Sequence, residues 1–246
     1  IVGTIAHVAS ITRLRKKLYD ESVVFVSKDN GEIIDSISVN SVLLENGYMT
    51  LLAGVGFPEG NELLHINDAH PVRNDAGVAL RGDIGLSMKR ISAVALLRPS
   101  TGEIVDLKSG PWLKQHDINP LPDGSFSIFN NAAFVFKDME YILPDNISSI
   151  CIWKPGSEEV DIPYQEVFRQ ADIRSTTQGR ARILPNGDAF VEETQWNRLL
   201  RVSKDIVRWE YVNAPPEHPD ISGSLNWCRY YLPEELDLAW LEENNE

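Results

Sequence analysis

Short runs rich in valine, isoleucine and phenylalanine alternate with polar residues along this chain and stop at Gly, Pro, Asn or Asp, a pattern that predicts β-strands. Val23-Val24-Phe25-Val26-Ser27 leads through Lys28-Asp29-Asn30-Gly31-Glu32 into Ile33-Ile34-Asp35-Ser36-Ile37, which reads as a hairpin. The same grammar returns in Ala93-Val94-Ala95-Leu96-Leu97, turning at Gly102 into Ile104-Val105-Asp106-Leu107, and in Ser149-Ile150-Cys151-Ile152-Trp153, turning at Gly156 toward Val160-Asp161-Ile162. A fourth version, with a shortened turn, runs from Arg198 to Tyr211.

Each of the last two hairpins is preceded by another kind, built on Leu121-Pro122-Asp123-Gly124 and on Leu184-Pro185-Asn186-Gly187. A four-stranded unit recurring at an irregular period of roughly 50 to 70 residues is the pattern of β-propeller blades with loop insertions. The expected fold is therefore all-β, a β-propeller of four-stranded antiparallel blades over residues 1–232 with about four of them recognisable. A closed ring ordinarily needs more, so either the N-terminal blades are missing from this chain or the ring closes with fewer. A β-sandwich is the alternative, and unequal unit lengths argue against a solenoid. Helical signals are few: Asn40 to Gly47, with a polar cap and a glycine stop, and a helix from Pro233 carrying Leu236, Leu238 and Trp240 into an acidic tail, so that 233–246 forms a separate end piece.

The formal net charge of −13 over 246 residues argues against a general nucleic-acid or anionic-membrane binder, while leaving room for a small basic pocket. Cys151 and Cys228 fit neither a metal-ligand pattern nor a disulfide framework; a single bridge, two thiols and an interchain bond all stay open. No apolar run is long enough to span a bilayer. Ile1-Val2-Gly3 is neither an initiator methionine nor a signal peptide, which suggests a processed or incomplete chain. Phosphate-cradling glycine loops and dinucleotide fingerprints are missing, and the histidines lack metal-site spacing, so no cofactor and no metal are expected. The six tryptophans read as packing between blades.

One stretch stands apart. Trp112 to Gly124 sets His116, inside Gln115-His116-Asp117, just ahead of a Pro-Asp-Gly turn. Upstream lie His65-Ile66-Asn67-Asp68 and Gly85-Leu86-Ser87-Met88-Lys89-Arg90, and downstream Gly179 to Gly187. The order of these elements, from the first hairpin through Gly110-Pro111-Trp112 to Trp209-Glu210-Tyr211, resembles the bacterial arylsulfotransferase family. That resemblance implies sulfuryl transfer from an aryl sulfate to a phenol through a sulfated histidine, without a nucleotide donor. His116 matches the family's nucleophile; neutral imidazole is nucleophilic near pH 7, and two-step transfer predicts ping-pong kinetics.

His65 and Asn67 match the family's His-x-Asn pair, which donates hydrogen bonds to sulfuryl oxygens; alternation along a strand would put both on one face. Lys89 aligns where relatives place an arginine, which keeps the charge and loses the bidentate fork; Arg90 takes over if the register slips by one. Asn130-Asn131 follows where relatives often have Asp-Asn, a change expected to matter to a turn more than to chemistry. Arg180 and Arg182 read as surface residues, His70 and His218 as loop residues beside prolines, and His7 matches no family histidine. The family's earlier histidine, in a His-His-Asp-like context, has no counterpart here. With Lys89 it supports a second reading, a catalytically inert propeller acting as a binding or structural module with protein partners or as a homo-oligomer. Relatives are commonly exported, so a periplasmic or secreted location is expected.

Overall fold

The computed structural model describes residues 2–11, 16–54, 62–136, 139–142, 147–214, 217 and 225–236, with side chains left out for 2–18 and 134–142. It is an all-β architecture of antiparallel sheets. The first sheet holds β1 (Val2–Ile11), β2 (Lys16–Val26) and β3 (Ile33–Ser38), and two short helices follow, α1 (Val39–Glu45) and α2 (Met49–Gly54). The second is a meander of β4 (Ile66–Pro71), β5 (Ile84–Met88), β6 (Ala93–Arg98) and β7 (Glu103–Ser109). The third contains β8 (His116–Pro120) and β9 (Phe126–Asn130), then an inserted two-stranded hairpin, β10 (Ala133–Phe136) and β11 (Met139–Ile142), before β12 (Ser149–Trp153) and β13 (Val160–Asp161). After α3 (Gln165–Gln170) comes the fourth, a meander of β14 (Arg180–Ile183), β15 (Ala189–Glu193), β16 (Arg198–Val202) and β17 (Val207–Val212).

All four outer hairpins expected from the alternation are present, as β2–β3, β6–β7, β12–β13 and β16–β17. The middle strands β5, β6, β9, β12 and β15 are almost wholly buried on both faces, whereas the outer strands β3 and β17 are largely exposed; the second and third sheets each pack between two neighbours. Ala93, Ala95 and Leu97 of β6 enter a core shared with Val23, Val39 and Leu43, whereas Val94 and Leu96 of the same strand enter the next core with Phe126, Ile128 and Trp153. Ile150 of β12 turns the other way, to Phe168, Val191 and Leu200. Burying each such side chain contributes about 1.5–3 kcal/mol, so the stacking of sheet on sheet is what holds the molecule together. The first strand of each later sheet lies against its neighbour: β1 against β4, β4 against β8, and β8 against β14.

A polar device repeats at these junctions. A side-chain oxygen placed just before the third strand in the later sheets, and in the first sheet inside β2 one residue before its pairing with β3 begins, accepts a backbone N–H of the segment that follows the sheet. Glu21 accepts from Leu63, Leu64 and Ile66 at 3.1, 2.7 and 2.9 Å. Ser92 Oγ accepts from Lys114 at 3.1 Å, Ser148 Oγ from Ser175 at 2.9 Å, and Asn197 Oδ1 from Leu225 at 3.0 Å. Inner-strand carboxylates do the same one step further along: Asp68 accepts from the Ile118 N–H at 2.8 Å and Asp117 from the Ala181 N–H at 2.9 Å. Donors along an edge with no strand beside it are thereby satisfied, which a buried backbone requires. Part of the chain's acidity is thus turned inward rather than spent on solubility.

The helix expected at 40–47 begins a residue earlier; Ser38 caps it by accepting the Ser41 N–H at 3.1 Å, and Val42 and Leu43 face the core. Helices α2 and α3 and the β10–β11 hairpin were not expected. Pro233–Glu235 forms a single 3-10 turn, and Leu238, Trp240 and the acidic tail lie outside the described residues. Trp112 and Trp153 are core residues, whereas Trp196 and Trp227 are largely exposed, so packing does not account for those two. Cys151 and Cys228 are both free thiols.

Candidate functional site

Three of the four sequence-derived site residues lie at one rim of their sheets, where the first strands start and the second strands end. His116 opens β8, His65 stands just ahead of β4, and Lys89 follows β5 in a 3-10 turn. Asn131 occupies, after β9, the place that Lys89 occupies after β5: Asn130 pairs with Ser149 as Met88 pairs with Ala93.

Simple alternation does not govern the orientation of these side chains. The β8–β9 register shifts between His116 and Ile118, with Asp117 in the left-handed region at φ 52°. In β4 the shift falls at Asn67, and His65 itself has φ 51°. The expectation that His65 and Asn67 share a face by strand periodicity is therefore replaced by an irregular backbone that aims each separately. Left-handed φ is rare in non-glycine residues and concentrates where side chains must be re-aimed.

His116 is half-buried and held at both ring nitrogens. Nδ1 lies 2.7 Å from Asn131 Oδ1, and Nε2 accepts a long 3.3 Å hydrogen bond from the Gln178 N–H. The Asn131 amide is oriented by its other end, where Nδ2 donates to the carbonyls of Ser175 and Gln178, both at 2.6 Å. Two carbonyls can only accept, so Nδ2 must face them and Oδ1 must face the imidazole. That fixes the tautomer: Nδ1 carries the proton, and Nε2 carries the lone pair. Burial pulls His116 down to about 4; the positive charges of Lys89 and His65 add to the fall, and the Asn131 hydrogen bond opposes it.

His65 Nδ1 lies 2.7 Å from Glu62 Oε2 and the ring is partly exposed. Asn67 donates from Nδ2 to the Gln115 carbonyl at 2.8 Å, tying β4 to the residue before His116, and its buried Oδ1 has no hydrogen-bond partner among the described residues. The Lys89 N–H donates to the His65 carbonyl at 3.2 Å, joining these two residues through the backbone. Gly179 at φ +82° lies against the Phe129 ring, where a Cβ would come within 2.5 Å of it; this close approach brings the Gln178 N–H to Nε2.

Several residues expected to be peripheral are not. Asn131 holds the nucleophile candidate rather than only shaping a turn. Arg180 is no surface residue: its guanidinium pairs with the buried Asp117 at 2.9 Å and lies 4.6 Å over the Trp227 ring. Arg182 grips Glu235 through both terminal nitrogens at 2.9 and 2.6 Å and donates to the Tyr230 carbonyl. His70 is a β4 strand residue, not a loop residue, and burial holds its imidazole below the ordinary range. Asp68 beside it is pushed up to about 7, by burial first and then by the Asp117 charge. His218 lies outside the described residues, as does the side chain of His7. Among the described residues no three His, Cys, Asp or Glu side chains are grouped to hold a metal ion, and no helix is long and apolar enough to cross a membrane.

The class these features define is an antiparallel all-β protein presenting a neutral, tautomer-fixed histidine at a basic, polar rim. A sequence model of the arylsulfotransferase (ASST) family matches residues 5–214, and the chain belongs to that family. A search of curated proteins finds no match. Among solved structures, the chain is similar to a protein of unknown function from Bacteroides caccae, with 11% identity, 78% of this chain and 69% of that chain covered, and a TM-score of 0.37.

Proposed function

We propose that the chain is a β-propeller sulfotransferase that moves a sulfuryl group from an aryl sulfate to a phenol through His116. The propeller reading is supported by middle strands buried on both faces, by first strands set side by side and by the polar junction that recurs from sheet to sheet. The observation that carries the chemistry is the Asn131-fixed tautomer, which leaves Nε2 unprotonated and covered only by one long hydrogen bond.

In the first step the Nε2 lone pair attacks sulfur, the sulfur–aryloxygen bond breaks, and the aryloxide leaves with the bonding pair and takes up a proton from solvent. The imidazole becomes an N-sulfated cation, and Asn131 Oδ1, accepting the Nδ1 proton, stabilises the charge that develops. In the second step a phenol oxygen attacks sulfur and gives up its proton to solvent, and the nitrogen–sulfur bonding pair returns to Nε2. Lys89 supplies a positive charge for the sulfuryl oxygens. His65, held at Nδ1 by Glu62, offers Nε2, and Asn67 offers its second amide N–H.

Two results follow from the ring environment. Asn131→Leu removes the Nδ1 acceptor and is expected to lower kcat by roughly 10- to 100-fold with little change in KM, since the bond strengthens as the cation forms; unchanged kcat would remove Asn131 from the account. The pH dependence has a defined sign. A histidine lowered from 6.5 to about 4 remains neutral, hence nucleophilic, until the pH falls through about 4. Phenol release from a chromogenic aryl sulfate by the full-length protein should therefore keep its acid limb near pH 4 rather than near 6.5. No release from a broad panel of aryl sulfates by folded protein would overturn the enzyme reading in favour of a binding propeller.

A further inference from the structure

The segment Leu225–Leu232 repeats the way inner strands begin. Its Leu225 N–H is taken by Asn197, as Lys114 is taken by Ser92 and Ser175 by Ser148. The Cys228 N–H is taken at 2.5 Å by Glu192 of the second strand β15, which fastens the segment to the fourth sheet at a second point. The same number of residues separates Leu225 from Leu232-Pro233 as separates Lys114 from Leu121-Pro122. This segment is therefore fastened to the fourth sheet at the place where the lead-in to β8 is fastened to the second, and two residues beyond the anchor it meets Arg180, which pairs with Asp117 beside His116.

The residue delivered there is Trp227, in the left-handed region at φ 63° and 62% exposed. A large indole left in water at that position is not explained by packing. Its ring is backed by the Arg180 guanidinium at 4.6 Å, and Arg180 is itself fastened to Asp117, the neighbour of His116. One guanidinium thus separates the indole from the chain segment carrying the nucleophile. The exposed Arg229 lies over the same ring at the longer distance of 5.5 Å.

We propose that Trp227 is the aryl-recognition wall of the His116 site: the substrate's aromatic ring packs on the indole, displacing the Arg229 guanidinium, while the sulfuryl group reaches Nε2. Arg180 acts as a positioning residue that holds the indole from behind. Aromatic pairing suits this ligand class because a flat apolar ring joined to an anionic group needs one apolar face and one cationic edge. The inference rests on the sulfuryl-transfer reading of the site.

The test uses two sulfonates that cannot transfer their sulfur group, naphthalene-2-sulfonate and methanesulfonate, titrated calorimetrically into full-length protein, Trp227→Ala and Trp227→Phe. The expected result is tighter binding of the aryl compound to wild type, a loss of about tenfold in Trp227→Ala, near-wild-type binding in Trp227→Phe, and unchanged methanesulfonate affinity throughout. An aryl preference that survives Trp227→Ala overturns the wall and leaves the transfer reading standing. Failure of wild type to bind either sulfonate overturns the transfer reading and the wall with it.

Discussion

His116→Asn is expected to abolish sulfuryl transfer, with turnover falling by at least about four orders of magnitude, while the thermal midpoint stays within a few degrees of wild type. The size of the effect follows from the role: a nucleophile that forms the covalent intermediate has no substitute, and the remaining groups bind sulfate without breaking a bond. Stability should be nearly unchanged because His116 is half-buried at a rim and asparagine retains polar atoms for the same neighbours. Phenol release under saturating aryl sulfate measures the first quantity and thermal unfolding the second. A variant retaining activity within tenfold of wild type would mean that the sulfuryl group bypasses this nitrogen.

Glu21→Ala should produce the largest loss of stability from a single side chain. Glu21 is buried and its two oxygens accept the N–H groups of Leu63, Leu64 and Ile66, which leaves three donors without partners in the variant. Each unsatisfied buried donor costs about 1–3 kcal/mol, and partial rehydration reduces the sum, so a loss of about 4 kcal/mol is expected. For a chain of this size that lowers the melting temperature by about 10 °C. Because these donors lead directly into His65 and Asn67, the KM for aryl sulfate should rise in the same variant. A melting temperature within 2 °C or so of wild type would show that water replaces the carboxylate and that the junction contributes little.

What could be read from the sequence was local. Alternation interrupted by glycine turns is a property of consecutive residues, so β2–β3, β6–β7, β12–β13 and β16–β17 were legible, as was the histidine ahead of the Pro-Asp-Gly turn. The junction was not, since only Ser92 and Ser148 are alike, and no single residue type or flanking motif unites them with Glu21 and Asn197. What they share is a position just before the third strand, or for Glu21 one residue before β2 begins to pair with β3, and a backbone donor from the segment that follows. Asn131 was missed for a related reason: only the fold reveals that it stands where Lys89 stands in the preceding sheet, and only its contacts with two carbonyls fix which way its amide points. Its one sequence signal was that shared place, one residue beyond the end of a second strand. Strand periodicity misled at His65 and Asn67 because a register shift and a left-handed residue intervene. Arg180 looked like a surface charge until Asp117, far away in sequence, was seen to meet it.

The central claim is that a covalent sulfohistidine forms at one nitrogen of one residue. The direct measurement mixes full-length protein with an aryl sulfate and no acceptor, quenches in alkali to preserve the nitrogen–sulfur bond, and determines intact and peptide masses. The account predicts a mass increase of one sulfuryl group per protein chain, located on the peptide containing His116, absent from His116→Asn and lost on addition of phenol. Steady turnover with no such adduct at His116, or an adduct on another residue, would contradict it.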